Sequence, residues 1–187
     1  RRLLREVGKR TSINVARDAT VVSLDGDAAA KGGSSAEAAE LFWQPLVFMT
    51  GEGAFQTITE RARGRLERYL RFGGTLVVDA PSASDPFAAA AKREIAALFP
   101  SSTLRPLDAD HVVYKSFYLL DEAVGRTKDD KHLYGVDPFS SSSSNGATGA
   151  GASGASGASR AAILFSTNDL LGALERDRFG TWKFDCE

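Results

Sequence analysis

Two apolar patterns of different period run along this chain. Residues 46–50 (LVFMT) and 75–79 (TLVVD) are short, nearly continuous apolar runs, the pattern of strands covered on both faces. Residues Ala161–Ser166 (AAILFS) repeat it much later. Between the first two, TITERARGRLERYLRFGG sets Ile58, Ala62, Leu66 and Tyr69 or Leu70 at helical spacing. Thr57 and Glu60 stand at the spacing of a capping box, and Gly73 and Gly74 supply the stop. After the second run, SDPFAAAAKREIAALFP predicts another helix. Asp85 is its N-cap, Pro86 opens the first turn, Phe87, Ala91, Ile95 and Leu98 form the buried stripe, and Pro100 ends it.

The remaining chain is less periodic. RRLLREVGKRTSINV reads as a short helix with Leu3, Leu4 and Val7 on one face, followed by an extended piece. Thr20–Leu24 is a second extended run. A low-hydrophobicity connection follows, turning helical near Ala36–Leu41. Residues 103–139 are irregular, with extended stretches expected around HVVYKSFYLL. The Gly/Ala/Ser tract at 140–159 offers no apolar anchor with which to order itself. Too little chain follows it to build a second domain. RAAILFSTNDLLGALERD instead resumes strand and then helix, with Thr167 or Asn168 as the cap. The chain is therefore read as one domain over 1–187 with a flexible insertion. Shortening the tract to a few residues is expected to change stability little, because closure entropy varies by about 0.6 kcal/mol per doubling of loop length. A melting temperature that collapses on shortening would show that the tract packs.

This order of elements predicts an α/β fold with a mainly parallel sheet between helices. Right-handed crossovers then gather the strand C-termini at one edge, where ligands of such sheets bind. With 187 residues, a hydrophobic fraction of 43% and a charged fraction of 25%, the chain suits one soluble core. A net charge of −1 gives no global electrostatic case for nucleic acid. The single cysteine, Cys186, excludes an internal disulfide and a multi-cysteine metal cage. No run approaches the ~20 apolar residues of a membrane span. The chain begins at Arg1 rather than methionine and reads as a processed or trimmed product, which leaves a removed signal peptide or anchor open; a periplasmic or envelope location is expected over a cytoplasmic one.

The candidate chemistry lies where strands end. PLVFMTGEGAF runs directly into Gly51-Glu52-Gly53, whose glycines suit a sharp turn and lack the spacing of a phosphate-binding loop. Ser82 and Ser84, with His111 as base, lack the glycine-flanked nucleophile elbow and read as helix-capping serines. Glu52, Asp79, His111, Asn168 and Asp169 remain as the candidate ligand-binding set. Carboxylates converging on one crevice repel unless a cation, a proton or a basic ligand joins them. Oxygen-rich clusters suit magnesium or calcium, so a divalent cation is the candidate cofactor. A purely structural reading competes: Asn168 or Asp169 caps a helix, Asp79 accepts backbone hydrogens and His111 bonds locally. His132, in KDDKHLYG, reads as solvated.

The blocks PLVFMTGEGAF, RLERYLRFGGTLVVDAPSASDPFAAAAKREIAALFP, DADHVVYKSFYLL and RAAILFSTNDLLGALERD occur in the order of a bacterial family, and the chain resembles that family, the domain of unknown function DUF4159. Its fold looks like that of class I glutamine amidotransferases, so the resemblance implies a flavodoxin-like three-layer sandwich. It implies no established activity. Family members often carry histidine where this chain has Glu52, and a second acid and a cysteine where it has Ala80 and Pro81. They also tend to have a short connection in place of the Gly/Ala/Ser tract, and a final helix after the segment matching RFGTWKFDCE. A glutamine amidotransferase needs a cysteine nucleophile on a tight strand-to-helix turn, with histidine nearby. APSAS supplies no cysteine there, and Cys186 follows no such strand. The expected function is a noncatalytic amidotransferase-like module that binds a small ligand or protein partner, in an envelope-associated assembly. The alternative is a hydrolase with an acidic, metal-assisted site at the carboxyl edge.

Overall fold

In the computed structural model, which describes residues 2–25, 40–116, 119–138 and 160–184, the apolar runs pair into one five-stranded sheet. The elements are α1 (Arg2–Arg10), β1 (Leu46–Thr50), α2 (Glu60–Arg71), β2 (Thr75–Asp79), α3 (Pro86–Leu98), β3 (Arg105–Pro106), α4 (Val112–Lys115), β4 (Tyr134–Val136), β5 (Ile163–Ser166) and a 3₁₀ turn, Gly172–Leu174. The strand order is β1-β2-β5-β4-β3. β1, β2 and β5 are parallel neighbours, while β4 is antiparallel to both β5 and β3, so it alone is reversed. The mostly parallel α/β sheet expected from the apolar runs is present. The Gly/Ala/Ser tract, Cys186 and residues 36–39 of the expected Ala36–Leu41 helix lie outside the described residues, although residues 40–43 are helical. Among the described residues no helix is long and apolar enough to cross a membrane.

Register places Val47, Leu76 and Ile163 across from one another, and likewise Met49, Val78 and Phe165. These residues share one sheet face because strand side chains alternate. The β2 and β5 members are buried and form one cluster with Leu66, Tyr69 and Leu70 of α2 and Phe87, Ala91, Ile95 and Leu98 of α3. The helical stripes read from the sequence are thus the buried faces.

Several local expectations are corrected. β1 is not covered on both faces: Leu46 is 45% and Phe48 37% exposed, while Val47 and Met49 pack on the core. It is an edge strand among the described residues, none of which forms a layer that buries its second face. The cap of α2 is Thr59 rather than Thr57; its Oγ1 accepts from the Ala62 N–H at 3.2 Å. The helix starts at Glu60, so the acid is its first residue and cannot reach back as a capping-box partner. Thr20–Leu24 joins no strand; Val22 and Leu24 pack on the core, and the Leu24 carbonyl accepts from Arg65 at 2.8 Å. Val112–Lys115 is helical instead of extended, because His111 Nδ1 accepts from the Val113 N–H at 3.2 Å and starts a turn. The β-branched pair Val112-Val113 suggested a strand, but a cap and the burial of Tyr114 outweigh that propensity.

The helix expected after Asn168 is reduced to the 3₁₀ turn. The chain leaves it in extended conformation at Glu175, and Arg176 bridges to Trp182. Asp85 caps α3 as read, accepting from the Phe87 N–H at 2.7 Å.

Candidate functional site

The parallel strands end in register at Thr50, Asp79 and Ser166, and the reversed β4 brings its first residue, Tyr134, opposite Phe165 near the same edge. The carboxyl edge therefore receives three strand-to-loop turns and the loop that enters β4.

Glu52 stands in the first turn, exposed, and its side chain makes no hydrogen bond or ion pair among the described residues. The turn itself is fixed. Gly53 sits at φ 71, in the region that resists a side chain, and donates its N–H to Asp85 Oδ1 at 2.9 Å. That oxygen also caps α3, so the glycines flanking Glu52 serve to dock one strand end on one helix start.

Asp79 is buried, at 3% exposure, and both of its carboxylate oxygens are occupied. Oδ1 accepts from the Leu170 N–H at 2.9 Å and Oδ2 from the Leu171 N–H at 2.8 Å. Burial, the larger influence, lifts its pKa above the ordinary range and Asp169 adds to the rise, while the two backbone bonds oppose it. Asp169 follows at φ 52, a left-handed conformation uncommon outside glycine. Its carboxylate accepts from the Gly172 N–H at 2.9 Å and pairs with Arg126 Nε at 2.5 Å. Together Asp79 and Asp169 tie down the N–H groups of residues 170–172.

Asn168 caps no helix. It is fully buried and clamps the loop that enters β4. Its Nδ2 donates to the carbonyls of Ala123, at 2.7 Å, and Asp130, while Oδ1 accepts from the Asp130 N–H at 3.0 Å. Around this clamp, Thr127 Oγ1 donates to the Pro81 and Thr167 carbonyls at 3.0 and 3.2 Å, and Asp129 accepts from the Ala83 N–H at 2.7 Å. Gly125 lies so close that a Cβ there would collide with the Asn168 carbonyl. The chain's own 123–130 segment thus lies over the ends of β2 and β5, where a doubly wound sheet would hold its ligand.

Of the five candidate residues, the structure brings Asp79, Asn168 and Asp169 together. Glu52 belongs to the turn held by Asp85, and His111 to the start of α4. Among the described residues no three His, Cys, Asp or Glu side chains are grouped to hold a metal ion. The divalent-cation expectation therefore finds no ligand set in this region. Sequence reasoning missed the 123–130 loop. His132 is solvated as expected, and its Nδ1 also lies 3.2 Å from Asp130 Oδ1, to whose Oδ2 Tyr134 donates at 2.5 Å, a pairing the sequence reading missed. The Tyr134 bond holds Asp130 below the usual carboxylate range and raises Tyr134 in turn. Spacing two apart along an extended segment, at 130, 132 and 134, was the available signal.

A family model described as a domain of unknown function (DUF4159) matches residues 1–186. The chain belongs to the DUF4159 family. No curated protein matches it. In this DUF4159 member the geometry of the carboxyl edge bears directly on function. It shows carboxylates engaged with backbone N–H groups and an arginine, a clamped loop over the sheet edge, and no cysteine in the turn Ala80–Ser84 after β2.

Proposed function

We propose that this chain is a noncatalytic, amidotransferase-like module that acts by binding a protein partner. The observation that carries this reading is the double engagement of Asp79. Each Asp79 oxygen accepts one backbone N–H, which gives the carboxylate a structural duty in holding residues 170 and 171 to the end of β2. The three parallel strands, joined through α2 and α3, support an amidotransferase-like α/β layout. The exposed apolar side chains Leu46 and Phe48, with Phe42 and Trp43 just before them in the chain, support a protein-binding surface.

The test is turnover by the purified chain. Glutamine-dependent ammonia release is expected to stay at background, and Cys186→Ser to leave that background unchanged. Ester and phosphoester substrates with added magnesium or calcium are likewise expected to give no turnover. Hydrolysis that needs a divalent ion and disappears in a folded Asp79→Asn variant would overturn the reading in favour of an acidic hydrolase. Ammonia release abolished by Cys186→Ser would overturn it in favour of a thiol glutaminase.

A further inference from the structure

Two arginines of the first helix, Arg2 and Arg5, make no ion pair among the described residues. α1 has one acid, Glu6, and its carboxylate is engaged by Arg10 at 3.4 Å, by Lys9 at 3.9 Å and by Arg176 at 3.0 Å. Arg176 also lies 3.7 Å from the centre of the Trp182 ring, which fastens α1 to the segment after β5. Glu6 is thus unavailable to the arginines elsewhere on the helix.

Arg2 and Arg5 of α1, with Arg17 from the segment that follows, line an open cleft of about 530 Å³. Leu4, Gly8 and Val15 complete much of its wall. The helix comes close to the later segment at Gly8, where a Cβ would stand 3.1 Å from the Val15 side chain. Arg2, Arg5 and Arg17 make no ion pair among the described residues. The cleft has the size of a small-molecule site. Every charged residue in its lining is an arginine, so a ligand that fits it best carries negative charge.

Three guanidinium groups around one concavity focus a positive potential into it. The guanidinium fork matches phosphate oxygens two at a time, which a point charge cannot do. We propose that this cleft binds a phosphate-bearing anion, with Arg2, Arg5 and Arg17 as its ligands. The site is separate from the carboxyl edge and does not depend on the reading of Asp79.

Inorganic pyrophosphate is the probe, titrated into the whole chain by calorimetry against sodium chloride of matched ionic strength. Saturable binding is expected, weakened about tenfold or more by Arg5→Gln with Arg17→Gln. Arg5→Lys should lose part of the affinity while retaining the charge. All three arginines are exposed, so the variants are expected to melt as the wild type does; a melt without ligand verifies this. Vesicles of phosphatidylglycerol in phosphatidylcholine distinguish a lipid headgroup from a free phosphate. Sedimentation with these vesicles that pyrophosphate competes away supports the site and places the phosphate on a lipid. Pyrophosphate binding without vesicle binding supports a soluble ligand. No binding beyond matched salt, binding unchanged in the double variant, or vesicle binding that pyrophosphate does not compete would each overturn the proposal.

Discussion

Asn168→Ala is expected to destabilise the chain by about 3 kcal/mol and to free the 123–130 segment from the sheet edge. The side chain is fully buried, and three hydrogen bonds end on it. Alanine leaves the Ala123 and Asp130 carbonyls and the Asp130 N–H without these partners. The loss is concentrated because the bonds converge on a loop with little apolar burial of its own. Urea denaturation measures the cost, and hydrogen exchange at residues 123–130 should rise well above that of β2. Asn168→Asp serves as the same-shape control. It removes the two donors and turns an anion toward two carbonyls, so it is expected to do no better than alanine at neutral pH. Gly125→Ala should loosen the same segment by steric collision with the Asn168 carbonyl. A cost within about 0.5 kcal/mol for Asn168→Ala would show that the loop is held by other contacts.

The parts of this fold that were legible in the sequence are those decided by local periodicity. β1, β2 and β5 are apolar runs long enough to read, and α2 and α3 carry stripes that coincide with their buried residues. β3 and β4 could not be read in this way. Arg105–Pro106 and Tyr134–Val136 are too short for a pattern and are strands only because β5 offers β4 an open edge, and β4 then offers one to β3. The same limit explains β1. LVFMT is apolar at nearly every position, so its composition could not reveal that one face is half exposed among the described residues.

The site was half legible for a related reason. Strand ends can be located from sequence, and so Asp79, Asn168 and Asp169 were placed correctly along the chain. Their partners could not be found. Asn168 bonds to residues 45 and 38 positions away, and Thr127 to one 46 positions away. No local pattern encodes such pairs. The acids looked like an unsatisfied cluster because the N–H groups and the arginine that satisfy them belong to loops without periodicity.

Asp79 is where the two readings of the acids separate most clearly. Asp79→Ala is expected to cost about 2–3 kcal/mol, because it strips the Leu170 and Leu171 N–H groups of their acceptor. Asp79→Asn keeps one acceptor oxygen but turns an NH₂ donor toward the other N–H, and is expected to cost about 1–2 kcal/mol. If the carboxylate is structural, these losses are the same with chelator and with added magnesium or calcium. The pH dependence has a definite sign. Burial raises the folded-state pKa of Asp79 above its unfolded value, so its contribution to stability is fully present below the unfolded pKa. That contribution is lost as pH rises through the folded pKa. The advantage of wild type over Asp79→Asn should therefore be larger in acid than at neutral pH. Thermal and urea melts at both pH values, with and without divalent ions, provide the measurement. A metal-dependent acidic site predicts a different pattern. Removing the charge would relieve repulsion with Asp169 and raise the melting temperature in metal-free buffer, and cations would stabilise wild type alone. That outcome would overturn the structural role of Asp79 and, with it, the noncatalytic reading of the carboxyl edge.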